Sequence, residues 1–156
     1  LRTAPLLAPG IRTLAGRYLS LAAVPTVLGF NPMMQAVALA DAVEAFVLAI
    51  RRAALLDRGA PAAVYNVCGG GALPLHTAIR LAGRRNVPIP AFAAAAMMDA
   101  LFSAGMAIAP SAHLDYLRYP CVADGERARV ELGFVARQTT RDAVASFART
   151  RMRDAA

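Results

Sequence analysis

The sequence predicts an α/β fold, in which short apolar strands alternate with helices. An amphipathic helix is predicted from Asp41 to Leu56, because apolar residues recur there at helical spacing. A buried strand is predicted from Ala62 to Cys68, directly before a run of three glycines that indicates a turn. The 156 residues are 58% hydrophobic and 17% charged, which is enough for one domain with a core and too apolar for a disordered chain.

The first forty residues are predicted to contain the end of a strand, a short helix and two further strands. Pro and Gly mark the loops between these elements, and Thr13 is a candidate helix N-cap. The predicted elements are a strand end at 1–5, a helix at 13–21, and strands at 24–30 and 33–39 separated by the Asn31-Pro32 turn. Because a domain seldom starts inside a strand end, we expect the sequence to be part of a longer protein.

The helix from Asp41 to Leu56 is the clearest element of the chain. Asp41 and Glu44 lie near its start and Arg51 near its end, which suits the helix dipole, and Gly59 stops it. Its apolar positions are Val43, Phe46, Val47, Ile50 and Ala54.

The second half of the chain is predicted to be mostly helical. Gly133 is expected to close one helix, and Thr139 or Thr140 to cap the last one. The predicted elements are a helix at 75–83, an extended segment at 87–90, a helix at 92–108, a short strand or extended segment at 114–119, and helices at 124–132 and 139–153.

The segment from Ala91 to Ala109 is the most apolar part of the sequence. A membrane-spanning helix needs about 20 apolar residues, and this run barely reaches that length. Asp99 at its centre and its many alanines make insertion into a bilayer unfavourable. A buried or dimer-facing helix is therefore favoured over a membrane span.

Charge and cysteine content exclude several classes of function. The net charge is +7, but the cations are scattered arginines with no interleaved aromatics, so a nucleic-acid surface is not expected. Cys68 and Cys121 are far apart, and together with His76 and His113 they lack the spacing of a metal site. A reduced, cytoplasmic protein is the simplest interpretation.

The glycine run Gly69–Gly71 lies between a predicted strand and a predicted helix, which is where dinucleotide-binding loops occur. It lacks the G-x-G-x-x-G spacing, and no acidic residue ends a second strand downstream. A tight turn, for which glycine supplies positive φ, is favoured over phosphate binding.

Four segments in order carry recognisable motifs: LRTAPLLAPG at 1–10, MMQAVALADAVEAFVLAI at 33–50, AVYNVCGGGALPLHTAIRLAG at 63–83, and YPCVADGERARVELGFVARQTTRDAVASF at 119–147. Together they resemble the carboxyl-terminal half of the extended short-chain dehydrogenases, the NAD-dependent epimerase/dehydratase family that includes enzymes like UDP-glucose 4-epimerase. The resemblance implies that residues 1–156 are the substrate-binding part of an α/β, partial Rossmann-type fold whose amino-terminal Rossmann half is missing.

The resemblance also implies a chemistry that this chain cannot perform alone. In the family, hydride moves between the nicotinamide of NAD or NADP and a carbinol carbon, while a Tyr/Lys pair transfers the proton. The sequence contains no lysine, so the Tyr-x-x-x-Lys motif is absent, and the glycine fingerprint is absent as well. The chain is expected to be inert without its missing half.

By the same resemblance, five residues are candidate substrate ligands: Arg2, Asn31, Gln35, Tyr116 and Arg118. Arg2 lies at the end of the family's sixth strand, where it would contact substrate or a neighbouring carboxylate. Tyr116, Arg118 and Tyr119 form a polar and aromatic group in a region that can line the substrate cleft.

Three positions depart from the pattern of the nucleotide-sugar enzymes. Those enzymes carry Arg-Asp where this chain has Met34 and Gln35, and that arginine clamps a diphosphate. The family histidine is replaced by Ala38. A UDP-sugar substrate is therefore in doubt, and Asp41 and Asp124 are interpreted as helix caps rather than catalytic groups.

Three classes of function are weighed. The first is a fragment of an epimerase, dehydratase or reductase that acts on a sugar-like or small polar carbinol or carbonyl compound. The second is a non-catalytic, cofactor-binding sensor or assembly protein of the same fold, and the third is a membrane-associated protein that uses the helix near residue 100. Expected partners are the missing half, a small-molecule substrate and, as a further candidate, a second copy. The isolated chain is expected to fold poorly.

Overall fold

Helices and short strands alternate along the chain, which confirms the α/β class. The computed structural model describes residues 1–8, 10–11, 13–55, 61–105 and 111–154, with side chains described as far as residue 150. The strands are β1 (Arg2–Thr3), β2 (Leu6–Leu7), β3 (Ala23–Val27), β4 (Met33–Met34), β5 (Val37–Ala38), β6 (Asn66–Val67), β7 (Leu73–Pro74) and β8 (Arg85–Ile89). The α-helices are α1 (Leu14–Tyr18), α2 (Leu39–Ala54), α3 (Leu75–Leu81), α4 (Ala91–Ser103), α5 (Glu126–Leu132) and α6 (Thr140–Asp154), and a 3-10 helix covers Ser111–Leu117.

Parallel pairing dominates the described strands. β1 pairs with β6, β2 with β5 and β3 with β8, all in parallel, whereas β4 and β7 are antiparallel. Parallel neighbours require a crossover connection, and these connections contain helices: α1 lies between β2 and β5, and α1 and α2 lie between β1 and β6. The long, helix-containing connections between paired strands follow directly from this topology.

The buried apolar side chains form three clusters. The first joins β3, α3 and α6 around Val24, Ile79 and Val144. In the second, α2 and α5 lie against β5 and β6, and in the third α4 and the 3-10 helix cover the end of β3. The first two clusters carry the strands on which the candidate site is built.

Local signals mark three of the helix ends, at Thr13, Thr139 and Gly133, whereas α1 ends at Tyr18, before the predicted Leu21, and α2 begins at Leu39, before the predicted Asp41. The Thr13 hydroxyl accepts the Gly16 N–H at 3.0 Å at the start of α1. Before α6, Thr139 Oγ1 accepts the Asp142 N–H at 3.1 Å, and Asp142 Oδ2 accepts the Thr139 N–H at 3.2 Å, which is a reciprocal cap. Gly133 ends α5 with φ of 69°, a conformation that favours glycine.

Strands are shorter than the apolar runs predict, because a strand extends only as far as its partner does. The predicted strand from Ala62 to Cys68 reduces to β6, which faces the two residues of β1. The predicted strand at 33–39 splits at Gln35 into β4 and β5, which pair with different partners.

The segment 114–119, predicted to be extended, is instead largely the 3-10 helix Ser111–Leu117. Asp99 Oδ1 accepts the Ser111 N–H at 2.9 Å at its start, and the Asp115 carbonyl accepts the Arg118 and Tyr119 N–H groups at its end. These local hydrogen bonds, together with burial of Leu114 in the third cluster, outweigh the strand propensity of the tyrosines.

Helix α4 is shorter than the helix predicted at 92–108, whose last residues fall partly outside the described chain. Its contacts are made by Ala94, Ala95 and Met98, while Phe92 on the opposite side is exposed. Among the described helices, none combines the length and apolarity needed to cross a bilayer.

Candidate functional site

Strand β1 has one free edge. The Arg2 N–H donates to the Tyr65 carbonyl and the Ala4 N–H to the Val67 carbonyl, both at 2.8 Å. Because successive residues of a strand point their backbone groups to opposite sides, those of Thr3 point away from β6. Arg2 and Thr3 are exposed, and no described strand pairs with that side. The edge can therefore accept a further strand.

The glycine loop after β6 is filled by the protein itself. The Gly69 N–H donates to the Ala36 carbonyl at 3.1 Å, and the Gly70 N–H donates to the Gln138 carbonyl at 3.4 Å. Gly71 has φ of +66°. The amides that would hold a phosphate are thus engaged, which agrees with the interpretation as a tight turn.

Asp41 ties the first turn of α2 to the loop before α6. It is 1% exposed, and its two carboxylate oxygens accept the N–H groups of Arg137 and Gln138, each at 3.1 Å. It lies within the helix, after the uncapped N-cap position Ala38. The expected capping role is therefore corrected: Asp41 satisfies amides of a distant loop and not those of its own helix.

Two of the five candidate ligands have their amide oxygens occupied. Asn31 Oδ1 accepts the His76 N–H at 2.9 Å and so satisfies an amide in the first turn of α3. Gln35 is buried, and its Oε1 accepts the Ala123 N–H at 2.7 Å. Both side chains join chain segments that are far apart in sequence.

Met34 stands where a diphosphate-binding arginine would be expected. It belongs to β4, and its side chain packs against the first core cluster. Neither Met34 nor the buried Gln35 presents a cation at this place. The geometry gives a diphosphate no clamp at these two positions.

Arg118 lies in an aromatic group at the end of the 3-10 helix. Its guanidinium carbon is 5.1 Å from the centre of the Phe30 ring and 5.3 Å from that of Tyr119, within the range of cation–π attraction. Asp115 approaches it at 3.5 Å. Arg118 Nε is buried and has no hydrogen-bond partner among the described residues. The Arg118 guanidinium in this aromatic group therefore has a hydrogen-bond donor that no described residue uses.

Tyr116 lies in the 3-10 helix, two residues before Arg118 and three before Tyr119, and is 62% exposed. Its ring is 5.9 Å from that of His113, centre to centre. Arg2, by contrast, lies on the exposed strand β1. The structure therefore places Tyr116 and Arg118 on the same short segment, while Arg2 belongs to the free sheet edge.

A polar cluster that sequence reasoning missed joins β6 to α5. Glu131 accepts the Tyr65 hydroxyl at 2.8 Å and the Arg127 Nε–H at 2.8 Å, while the Arg127 guanidinium lies 5.3 Å from the Tyr65 ring centre. The hydrogen bond from Arg127, and then that from Tyr65, lowers the pKa of the Glu131 carboxyl. The only sequence signal was the spacing of Arg127 and Glu131 on one helix face.

This cluster predicts a dependence of stability on acid. A carboxyl whose pKa is lower in the folded than in the unfolded chain stabilises the fold at neutral pH. That stabilisation is lost as the pH falls through the ordinary carboxyl value of about 4.3 and below. We expect Glu131→Gln to lower the urea midpoint at pH 7 and to leave it nearly unchanged below the carboxyl range. An equal loss at both pH values would contradict the ion-pair origin.

Sequence comparison finds relatives that are longer than this chain. The chain is 34% identical over 151 residues to an uncharacterized protein of Mycobacterium tuberculosis and, equally, to one of Mycobacterium bovis. The aligned region is 97% of this chain and 38% of each relative. No family model matches the sequence.

Solved structures show the same fold over almost the whole chain. A UDP-galactose 4-epimerase matches 98% of the chain with a TM-score of 0.63 at 15% identity, using 45% of its own length. Two further structures each match 99% of the chain with a TM-score of 0.65, using 47% of their own lengths. One is UDP-glucose 4-epimerase from Bifidobacterium longum in complex with NAD+ and UDP, at 16% identity. The other is MoeE5 in complex with UDP-glucose and NAD, at 21% identity. The expected resemblance is confirmed at the level of the fold. The chain matches slightly less than half of the length of each of these enzymes.

Proposed function

We propose that residues 1–156 are the substrate-binding part of an NAD(P)-dependent epimerase/dehydratase or reductase of the extended short-chain dehydrogenase family. The observation that carries this proposal is the match of 98–99% of the chain to less than half of enzymes solved with NAD. The free parallel edge of β1 supports it, since a Rossmann half would continue the sheet there.

The cofactor's phosphates would be held outside this chain. The amides of Gly69 and Gly70 are bonded within the protein, and the sequence lacks both the glycine fingerprint and any lysine. The residues described here thus do not fit a dinucleotide phosphate. In this proposal the cofactor supplies hydride transfer and the missing half supplies the proton-transfer pair, while this chain binds and orients the substrate.

The substrate is proposed to be a sugar-like or small polar carbinol or carbonyl compound. Tyr116 and Arg118 offer it a hydroxyl and a guanidinium, and Arg2 offers a second cation from the sheet edge. Asn31 and Gln35 contribute by holding the surrounding segments. Met34 in place of a clamping arginine disfavours a nucleotide diphosphate. A reducing, cytoplasmic location is proposed because Cys68 and Cys121 are both unpaired.

The test uses the protein expressed at its natural length. We expect its gene to encode a Tyr-x-x-x-Lys motif ahead of Leu1, and the purified protein to release NAD or NADP on denaturation. With small polar alcohols the protein should either accumulate reduced nicotinamide, as a dehydrogenase or reductase does, or convert the substrate without net change of the cofactor, as an epimerase or dehydratase does, and either activity should be lower with UDP-glucose. Bound cofactor without the motif and without turnover would favour the sensor or assembly protein, and absence of cofactor would overturn the proposal.

The role of Arg118 can be tested in the same assay. A charged hydrogen bond contributes about 1.5–3 kcal/mol, so Arg118→Gln should raise KM by about tenfold or more while changing kcat little. The control is Arg129→Gln, whose exposed pair with Glu126 lies on α5. Unchanged KM in a folded Arg118→Gln protein would remove this residue from the substrate site.

A further inference from the structure

A tight turn after β3 carries the Phe30 ring to the aromatic group around Arg118. The Phe30 N–H donates to the Val27 carbonyl at 3.1 Å, and Gly29 inside the turn has φ of 84°, a conformation that favours glycine. Phe30 is half-buried and packs against the third core cluster. The position of its ring is therefore set by β3 and the core, independently of the 3-10 helix that precedes Arg118.

Phe30 and Tyr119 together restrict the orientation of the Arg118 guanidinium. Its central carbon lies 5.1 Å from the Phe30 ring centre and 5.3 Å from the Tyr119 ring centre, and the two rings are 6.3 Å apart at an interplanar angle of 72°. An arginine side chain has many rotamers, and contact with two rings limits the directions in which its nitrogen atoms point. Because Tyr119 is the next residue in the sequence, Phe30 is the ring that ties the guanidinium to a distant part of the fold.

One edge of this guanidinium has a donor without a partner. A guanidinium presents parallel N–H groups along two edges, one formed by Nη1 and Nη2 and the other by Nε and Nη2. Asp115 accepts from Nη1 of Arg118 at 3.5 Å, whereas Nε has no hydrogen-bond partner among the described residues. The Arg118 side chain as a whole is 35% exposed, so a ligand can approach it. The edge formed by Nε and Nη2 is the one that remains for a ligand.

Two other arginines of the chain show which group occupies this edge when a partner is present. Arg129 donates from Nε and Nη2 to the two carboxylate oxygens of Glu126, at 2.8 Å and 2.6 Å. Arg127 donates from Nε to Glu131 at 2.8 Å while its guanidinium carbon lies 5.3 Å from an aromatic ring centre. Arg118 has the aromatic contacts, but no described carboxylate takes its Nε.

We propose that Phe30 is a positioning residue, which holds Arg118 so that its Nε and Nη2 groups bind a carboxylate of the substrate. This inference rests on the proposed function and narrows its substrate class to sugar acids and related hydroxy acids. The two oxygens of a carboxylate match two parallel N–H groups in one plane. Because Met34 in β4 supplies no second cation, a group with a single negative charge fits this place better than a diphosphate.

Equilibrium binding of two matched probes tests the carboxylate site. D-glucuronate carries a carboxylate where D-glucose carries a hydroxymethyl group, and both are titrated by ligand-observed NMR into protein of natural length with its bound cofactor. We expect D-glucuronate to bind at least about tenfold more tightly than D-glucose, and Arg118→Gln to remove this preference. Arg127→Gln, which alters an arginine already paired with Glu131, should keep the preference.

Phe30→Leu tests the positioning role. It should weaken D-glucuronate binding about fivefold and leave D-glucose binding unchanged, whereas Phe30→Tyr, which keeps the ring, should bind both probes as the unaltered protein does. When Phe30→Leu is added to Arg118→Gln, we expect no further loss. The Arg118 Nε–H signal in ¹H–¹⁵N spectra gives a measurement that needs no variant, because D-glucuronate should shift it and D-glucose should not.

The contrary outcomes separate this inference from the proposed function. Equal binding of the two probes, or no binding of D-glucuronate, would overturn the carboxylate site while a protein with bound NAD or NADP kept its proposed function. Equal losses for both probes in Phe30→Leu, or an added loss in the double variant, would reduce Phe30 to a structural role. Absence of any bound cofactor would overturn the proposed function, whichever probe binds.

Discussion

Replacing Gly69 by alanine should destabilise the fold by about 3 kcal/mol. The added methyl group would be pressed against backbone atoms, which cannot move aside as the end of a flexible side chain can. A Cβ at this position would lie 2.3 Å from the Ala36 carbonyl oxygen and 3.3 Å from both the Gln138 carbonyl oxygen and the Thr140 nitrogen. All three atoms are backbone. The glycine loop, the chain before β5 and the start of α6 would have to separate. The measurement is the urea unfolding free energy of the protein at its natural length.

Gly70 provides the matched control. A Cβ there meets only Thr139 atoms at 3.9 Å, an ordinary van der Waals contact, and Gly70 has no positive φ. Gly70→Ala should therefore change stability by less than about 1 kcal/mol, and loss of unfolded-state entropy could make it stabilising. If both variants lost the same stability, the close packing of Gly69 against the backbone would not be the cause.

Asp41→Asn is the second substitution with a large expected effect, and it should lower the free energy of unfolding by about 3 kcal/mol. Each carboxylate oxygen accepts one backbone N–H, from Arg137 and from Gln138. The side chain of asparagine has one acceptor oxygen, so it can accept from only one of these two N–H groups. Its NH₂ group would face the other N–H and leave that buried donor unsatisfied. Urea unfolding measures the change, and amide exchange at Arg137 and Gln138 should accelerate with it.

Glu44→Gln on the following turn is the control for charge alone. Glu44 pairs with the side chain of Arg137, which is 76% exposed, and exposed pairs contribute little. We expect Glu44→Gln to lower the free energy of unfolding by less than about 0.5 kcal/mol. A loss as large as that of Asp41→Asn would show that net charge on α2, and not the buried clamp, decides stability.

Helix positions were predictable because their signals are local. Thr13, Thr139 and Gly133 mark helix ends through bonds or dihedral angles confined to a few residues. The Arg137 N–H that donates to the Asp41 carboxylate lies 96 residues away in sequence, so no local spacing of residues could reveal this hydrogen bond. The same holds for the partner of Tyr65, which is 66 residues away.

Strand lengths and the site were less predictable for a related reason. The apolar run before Gly69 specifies burial, but the two-residue contact with β1 decides how much of it is strand. Arg118 and Tyr119 are neighbours in sequence and were expected to act together, whereas Phe30 joins them only through the fold. Gln35 looked like a ligand because of its position, but its hydrogen bond to Ala123 N shows a role in packing.

Amide hydrogen exchange at Thr3 tests most directly whether this chain completes a larger parallel sheet. The neighbouring Ala4 N–H, bonded to the Val67 carbonyl, serves as the internal reference. In the protein at its natural length we expect both amides to be strongly protected, because the proposed nucleotide-binding half would place a strand against the free edge of β1. Rapid exchange at Thr3 beside a protected Ala4 would mean that β1 is a true edge and that no such half docks there.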